Sequence, residues 1–390
     1  MWLYSIIFAI PFILYLTNPK GISRNTLGLA IFLIFLSLFV GFSDMFGGYD
    51  RYIYGEVFDN IANITTEHGS YTEEGCFLFF PGEFGYTALN ILISFYTENR
   101  YIFILSITLI TYLLLFIDLK RYTENYSFAL ILFMGLWFFF SFTYLRQVLG
   151  ATVAWLGIRY VIRRNLLKFL LVCFIAFSIH NSAIVFVPLY FIPIRKFGKG
   201  TVISIMILAL LLGLSPIPNA LFAVYESNSA FDRVNDYNAT EGFRVVYLLE
   251  AFFFLVIILS NYRNIIQTKT NTVLLNMALI FCAILLFFIR SDNGGRISWY
   301  YMIGLISTIT TICVSQRRNI SLAFFMVFLC LALYTRVYHA WQRTLNLYPY
   351  KTFLSNGFRE GDYSYENYEY DHEYDINKLY REPFRWTPNI

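Results

Sequence analysis

The chain has 390 residues, 58% of them apolar and only 14% charged, where an ordinary soluble domain carries about 25% charged residues. Aromatic residues supply 20% and the net charge is only +4, which excludes a disordered chain, a collagen-like chain, a disulfide scaffold and a nucleic-acid binder. What remains is an all-α, polytopic integral membrane protein. At about 20 residues per span, the length accommodates roughly 10–13 transmembrane or re-entrant helices.

The apolar runs, in order, are 1–17, 26–42, 84–96, 101–117, 127–144, 145–162, 166–194, 201–222, 245–260, 272–289, 297–314 and 319–338. The first, MWLYSIIFAIPFILYLT, has no basic leader and no small-residue cleavage site, so it reads as a retained span. The stretch 127–162 is too long for one helix and divides near Tyr144-Leu145-Arg146. The run 84–96 is too short to cross the membrane comfortably. Residues 1–338 therefore read as the membrane domain. Residues 339–390 form a polar, Tyr- and acid-rich tail, expected to be solvated. Four of the five cysteines lie inside apolar runs and no CxxC pair occurs, so neither a zinc site nor a disulfide framework is indicated.

Lys and Arg in short loops set the orientation. Arg159, Arg163, Arg164 and Lys168, then Arg195, Lys196 and Lys199, mark cytoplasmic turns. Two loops have the opposite character. Residues 43–83 hold eight Asp and Glu against one arginine, and 223–243 hold four acids against Arg233. Both read as extracytoplasmic, and so does the tail. The segment 166–194 then starts and ends inside, which makes it a hairpin with His180-Asn181-Ser182 at its tip. By the same parity, 77–96 reads as re-entrant, broken at Phe80-Pro81-Gly82-Glu83. Backbone that breaks at membrane depth must line a cavity or be buried in protein.

Ionisable groups in such segments are costly and become functional candidates. Arg146 opens a span after a tight turn, beside Gln147. It is either a snorkelling interfacial arginine or a donor fork suited to phosphate oxygens. His180 sits at the hairpin tip beside Asn181. It is either a core histidine or a proton carrier near neutral pH. Arg296 follows a Gly-Gly turn and precedes Tyr300, either in a hydrated turn or as a second anion clamp. Asp50, Arg51, Tyr52 and Tyr54 lie in GGYDRYIYGEVF. That stretch reads either as an amphipathic surface helix or as a carboxylate with sugar-stacking rings. Glu83 at the supposed break is a further carboxylate candidate, and Arg233 a weaker loop candidate. No nucleotide-binding loop, HExxH, GxSxG or DxD pair occurs. These groups suit a substrate with a phosphate head and a sugar-like body, while composition alone leaves a transporter equally open.

The stretch 144–194 resembles the EpsG family of bacterial exopolysaccharide and capsule proteins. The matching features are Arg146-Gln147, Gly150-Ala151, Arg163-Arg164 and Ala176-Phe177-Ser178-Ile179-His180-Asn181-Ser182-Ala183. The histidine stands one residue further from the phenylalanine than the family pattern has it. GGYDRYIYGEVF (47–58), FPGEFGYTALNILI (80–93), RISWYYMIG (296–304) and YPYK (348–351) are also similar in place. The resemblance implies a Wzy-like polymerase of the bacterial inner membrane. It would act on oligosaccharide repeat units carried on undecaprenyl diphosphate, with an extracytoplasmic active face. Membrane lipid, a flippase and a chain-length regulator would be its partners. Neither metal nor nucleotide cofactor would be needed. On that reading Arg146 and Arg296 hold the diphosphate. His180 is the general base, with Asp50 or Glu83 as alternatives. Tyr52, Tyr54 and Tyr300 bind sugar faces or hydroxyls, and Gln147, Asn181, Arg51 and Arg233 are further substrate-binding residues. Competing readings are a ligase or acyltransferase of surface glycans, a transporter of lipid-linked sugars, and a structural partner in a synthesis complex.

Overall fold

A computed structural model describes residues 2–17, 24–45, 48–218, 220–221, 242–291, 294–314, 320–342, 344, 347–357 and 373–385. The described chain is helical throughout, with a single isolated bridge between Ser43 and Thr352 and no strand. The helices are α1 (Trp2–Thr17), α2 (Thr26–Gly41), α3 (Gly48–Thr66), α4 (Phe84–Ser94), α5 (Arg100–Tyr122), α6 (Tyr126–Leu136), α7 (Phe140–Thr143), α8 (Leu145–Trp155), α9 (Ile158–Ile162), α10 (Leu166–Ile179), α11 (Lys199–Leu214), α12 (Val245–Ser260), α13 (Lys269–Phe287), α14 (Gly294–Ser298), α15 (Met302–Val314), α16 (Ile320–Trp341) and α17 (Glu373–Ile376). Short polar residues start five of them. Asn25, Asn99, Asn125, Asn165 and Thr268 each accept a backbone N–H from the first turn that follows, a cap worth about 1 kcal/mol.

Four stretches are long and apolar enough to cross a membrane: Arg100–Tyr122, Lys269–Phe287, Gly294–Val314 and Ile320–Trp341. The third is α14 and α15 joined by a 3₁₀ turn at Trp299–Tyr301. It is the central post of the bundle, with 89% of its apolar window buried, against 28% for α16, which faces outward. α13 packs along α15 and carries α11 and α12 on its other sides, while α1 and α16 pack on α6. Gly135 lets α6 touch α16: a Cβ there would lie 2.5 Å from the Cβ of Cys330. Small residues at such crossings let helix backbones close up where no hydrophobic drive separates lipid from protein. Arg121, Arg159, Arg163 and Thr270 line one cavity at the end that the charge pattern reads as cytoplasmic.

Three segments bear on the site. The chain breaks at 137–139 between α6 and α7 and again at Tyr144, whose φ and ψ are −89° and 55°. Segment 166–194 turns back at His180, where the backbone is extended. Arg164 clasps the base of this hairpin by donating to the carbonyls of Tyr190 (2.5 Å) and Ile192 (3.2 Å). Its returning arm, Asn181–Phe191, is 3₁₀ with Pro188 inside rather than a second α-helix. Segment 77–96 does not form two arms. A 3₁₀ turn at Cys76–Leu78 and a loop lead into the single helix α4.

Two expectations are corrected. α3 is not an amphipathic helix lying on the surface. Arg51, Tyr52, Tyr54, Phe58 and Asp59 are all buried, because α3 is pressed between α4, α5 and the tail. Nor is the described part of the tail wholly solvated: it is anchored through a few buried side chains. Tyr374 lies over the Arg100 guanidinium at 4.3 Å and donates from its hydroxyl to Asp59 at 3.1 Å. Lys378 is buried beside Asp44 (3.4 Å) and Asp375 (3.2 Å), and Arg385 pairs with Glu98 at 2.8 Å. The buried Arg100–Asp59 ion pair needs this cover. Tyr374 supplies it through an apolar body and a polar tip.

Candidate functional site

The site is assembled where the loop 79–83, the hairpin tip and the start of α8 meet. Gly82 has φ of +76°, which only glycine adopts without strain. It turns the chain so that Glu83 points inward, with 4% of its surface exposed. Glu83 receives three donors. His180 donates from Nδ1 to Oε1 at 2.6 Å, and the Asn181 backbone N–H reaches the same oxygen at 3.1 Å. Arg146 donates from Nη1 to Oε2. Asn181 ties the two loops together by donating from Nδ2 to the Pro81 carbonyl at 3.2 Å. The Arg146 guanidinium sits in a ring box, 4.2 Å from Phe80, 5.2 Å from Tyr54 and 5.9 Å from Tyr86.

This geometry separates two chemical roles. Burial pushes the Glu83 carboxyl up, but His180, Arg146 and the Asn181 N–H outweigh burial and hold it down to about 2. A carboxylate so dressed is a poor proton acceptor. It is well suited to fix the histidine tautomer. With Nδ1 carrying the hydrogen bonded to Glu83, Nε2 is left to take a proton. The His180 side chain keeps 19% of its surface exposed. Gly150 of α8 lies beside the imidazole, where a Cβ would come within 3.3 Å of the His180 Cβ and 3.4 Å of the Tyr300 hydroxyl.

A second cluster lies on the other side of the turn at 144–147. Arg296 stacks on the Tyr144 ring at 4.0 Å and donates from Nη2 to the Tyr144 hydroxyl at 2.8 Å. Gln147 donates to the Arg296 carbonyl at 3.0 Å. Tyr300 is buried and its hydroxyl meets Ser182 Oγ at 3.0 Å, while Trp155 Nε1 donates to its carbonyl. Asp50, in the first turn of α3, makes no hydrogen bond or ion pair among the described residues. It still acts electrostatically on both Tyr54 and Tyr144, so it lies near both clusters.

The structure therefore gathers Glu83, His180, Asn181, Arg146 and Tyr54 in one group, with Arg296, Gln147 and Tyr300 adjoining and Asp50 near both. It does not bring Arg51 or Tyr52 there. Arg51 is 0% exposed and directs its guanidinium to the backbone carbonyls of Val40, Ser43 and Phe142 at 3.3–3.4 Å. It braces the 40–45 turn and cannot touch a substrate. Tyr52 donates to the Met45 carbonyl at 2.9 Å in the same brace. Arg233 lies outside the described residues. Sequence reasoning overlooked Glu250 in α12, Asp118 in α5 and Arg336 in α16. Glu250 and Arg336 are ionisable groups inside apolar runs and Asp118 stands at the edge of one, still within α5, so the cost rule that selected Arg146 and His180 applies to all three. Among the described residues no three His, Cys, Asp or Glu side chains converge as a metal site would need.

A family model for the EpsG family matches residues 28–352. The chain belongs to the EpsG family. The match takes in every member of both clusters, from Asp50 to Tyr300, and ends before the docked segment 373–385. No curated protein and no solved structure gives a significant match. With its apolar helices, this EpsG protein is a multi-pass membrane protein of exopolysaccharide biosynthesis.

Proposed function

We propose that this protein polymerises lipid-linked oligosaccharide repeat units into a surface polysaccharide at the outer leaflet of the cytoplasmic membrane. The donor is a saccharide on a polyprenyl diphosphate, and the acceptor is a hydroxyl of a second unit. The observation that carries the reading is the buried Glu83–His180 hydrogen bond at the tip of a hairpin. It orients the imidazole so that Nε2 can meet the acceptor proton.

In this scheme the acceptor oxygen attacks the anomeric carbon of the donor. Its proton passes to His180 Nε2, the bond from the anomeric carbon to the phosphate oxygen breaks, and polyprenyl diphosphate leaves with the electron pair. Glu83 stays ionised throughout. It holds the Nδ1 tautomer and offsets the charge on the imidazolium that forms. The developing charge on the diphosphate needs a cation not already neutralised. Arg146 is paired with Glu83, whereas Arg296 meets no carboxylate among the described residues. Arg296 therefore stabilises the leaving group, and Arg146 positions Glu83. Ser182 and Asn181 supply hydroxyl and amide contacts to the sugar, and the buried Tyr300 hydroxyl positions Ser182.

The test is the surface glycan of a strain lacking this protein, sized on a gel beside strains carrying His180→Ala or Arg296→Ala. Deletion should leave single repeat units in place of a ladder. Each substitution should lower turnover by about 10²-fold or more, the scale of losing one charge stabiliser. A full-length ladder in both variants refutes the assignment. Full-length polymer that is unattached or retained inside the deletion strain points to a ligase or a transporter.

A further inference from the structure

A cavity of about 660 Å³ lies behind the second cluster, walled by the 137–140 break, α12, α14 and α16. That volume falls within the range of small-molecule sites. The non-helical backbone at 137–139 borders it, as membrane-depth breaks require. Its two ends differ in chemistry. The deep end is ring and aliphatic surface, including Phe138, Phe254, Phe281 and Leu285. The other end carries Arg296, Tyr144, Tyr247 and Ser298, with Glu250 and Arg336 on opposite walls. Helical side chains lean toward their own N-terminus, so Glu250 reaches back toward the level of Tyr247 and Arg296.

Two polar groups on this wall have no bonding partner among the described residues. Trp137 Nε1 is buried without a partner, and Glu250 makes no hydrogen bond or ion pair among the described residues. Membrane-embedded polar groups of this kind are costly unless a ligand or water meets them. The cavity also has a side opening. Leu249 and Val246 of α12 are 61% and 54% exposed, and Arg336 of α16 is exposed as well. One turn further in, the Phe253 and Phe325 rings meet at 6.0 Å and close the gap between the two helices. A molecule could reach the chamber from lipid without passing through water.

We infer that this chamber is the seat of the polyprenyl phosphate end of a lipid-linked saccharide, loaded sideways between α12 and α16. The inference deepens the proposed function and rests on it. Arg296 and Arg336 hold the phosphate oxygens and Trp137 Nε1 donates to one of them. Glu250 accepts a hydroxyl of the first sugar. The isoprenoid chain lies on the aromatic floor and leaves through the gap beside Leu249. Charge complementarity selects this occupant over an uncharged lipid, and the ring-lined floor suits a branched unsaturated chain. Arg296 belongs to both chamber and site, which places the scissile bond within reach of His180.

The test uses full-length protein in nanodiscs of phosphatidylglycerol and phosphatidylethanolamine doped with undecaprenyl phosphate. A photoreactive p-benzoylphenylalanine replaces Leu333 in the chamber wall, or Ile205 on the exposed face of α11 as control, and adducts are identified by mass. The inference expects undecaprenyl phosphate at position 333 and phospholipid at 205. Leu249→Trp, which narrows the gap, should lower capture at 333 about tenfold. Phosphatidylglycerol at both positions, or capture indifferent to the narrowing, overturns it. The two readings fail separately. Undecaprenyl capture alongside normal polymer in a strain lacking the protein leaves the chamber standing and removes the polymerase. Loss of polymer with phospholipid capture only does the reverse.

Discussion

Replacing Glu83 by glutamine removes one charge and almost no volume. The amide oxygen can still accept from His180 Nδ1 and the Asn181 N–H, but the amide nitrogen then faces the Arg146 guanidinium, donor against donor. Glu83 and Arg146 are only 5% and 12% exposed at the side chain. Stripping one partner from a buried ion pair costs about 3–5 kcal/mol, because the other charge is left unpaired. Glu83→Gln should therefore lower the thermal midpoint of the purified protein by several degrees and abolish the glycan ladder. Adding Arg146→Met removes the stranded charge and should restore most of the midpoint, because methionine fits the ring box of Phe80, Tyr54 and Tyr86. The ladder should stay absent in the double variant, since the imidazole still lacks its anionic partner. The coupling between the two substitutions is read from the double-mutant cycle. Additive midpoints, or a full-length ladder in Glu83→Gln, would refute the view that Arg146 serves Glu83 and not the substrate.

Acid should act through the same carboxylate. Glu83 falls from the ordinary 4.5 to about 2 in the folded protein. Its contribution is fully present above 4.5 and is lost as pH falls toward 2. Melting curves of the parent should weaken across that window, and those of Glu83→Gln should show a smaller decline. Gly85→Ala should spoil the site without touching its chemistry. A Cβ there would lie 2.2 Å from Ser178 Oγ and 3.0 Å from the Ser178 carbonyl, which would push α4 and Glu83 away from the hairpin tip. A shortened ladder with the protein still present in the membrane is the expected result. Tyr374→Ala should uncover the Arg100–Asp59 pair and lower the thermal midpoint while leaving His180 and Glu83 in place. Unchanged melting would mean that the tail is not a stabilising cover.

The two breaks that make the site were legible because their price is high in lipid. Tyr144-Leu145-Arg146 interrupts an apolar run too long for one helix, and His180 stands between two arms too short to span. Both positions are helix ends in the structure. What joins them was not legible. Glu83 meets Arg146 and His180 across 63 and 97 residues of chain, and no periodicity encodes such a distance. The same limit hid the docked tail. Its composition reads as solvated because Arg100 and Asp59, which Tyr374 covers, lie far away in sequence. Glu250, Asp118 and Arg336 were different. Glu250 and Arg336 were visible as charges inside apolar runs and Asp118 as one at the edge of another, and only the choice of which charges to weigh left them out.

Charge accounting across the turn at 144–147 gives the site its direction. On the His180 side, Arg146 and Glu83 cancel, so the local field barely changes until the imidazole takes a proton. The fixed carboxylate then faces a new cation at hydrogen-bond distance. On the other side, Arg296 and Arg336 face a chamber whose one described carboxylate, Glu250, bonds to neither. An anionic leaving group is favoured there before any bond breaks, and more so as charge builds on it. The arrangement is poised for proton removal on one side of α8 and for negative charge on the other. Reversing the sign at the chamber alone separates the two halves. Arg296→Glu should remove both diphosphate retention and polymer while leaving the Glu83–His180 pair, and with it the acid dependence of melting, unchanged. If that dependence disappears as well, the two clusters are one electrostatic unit and the division of roles argued here is wrong.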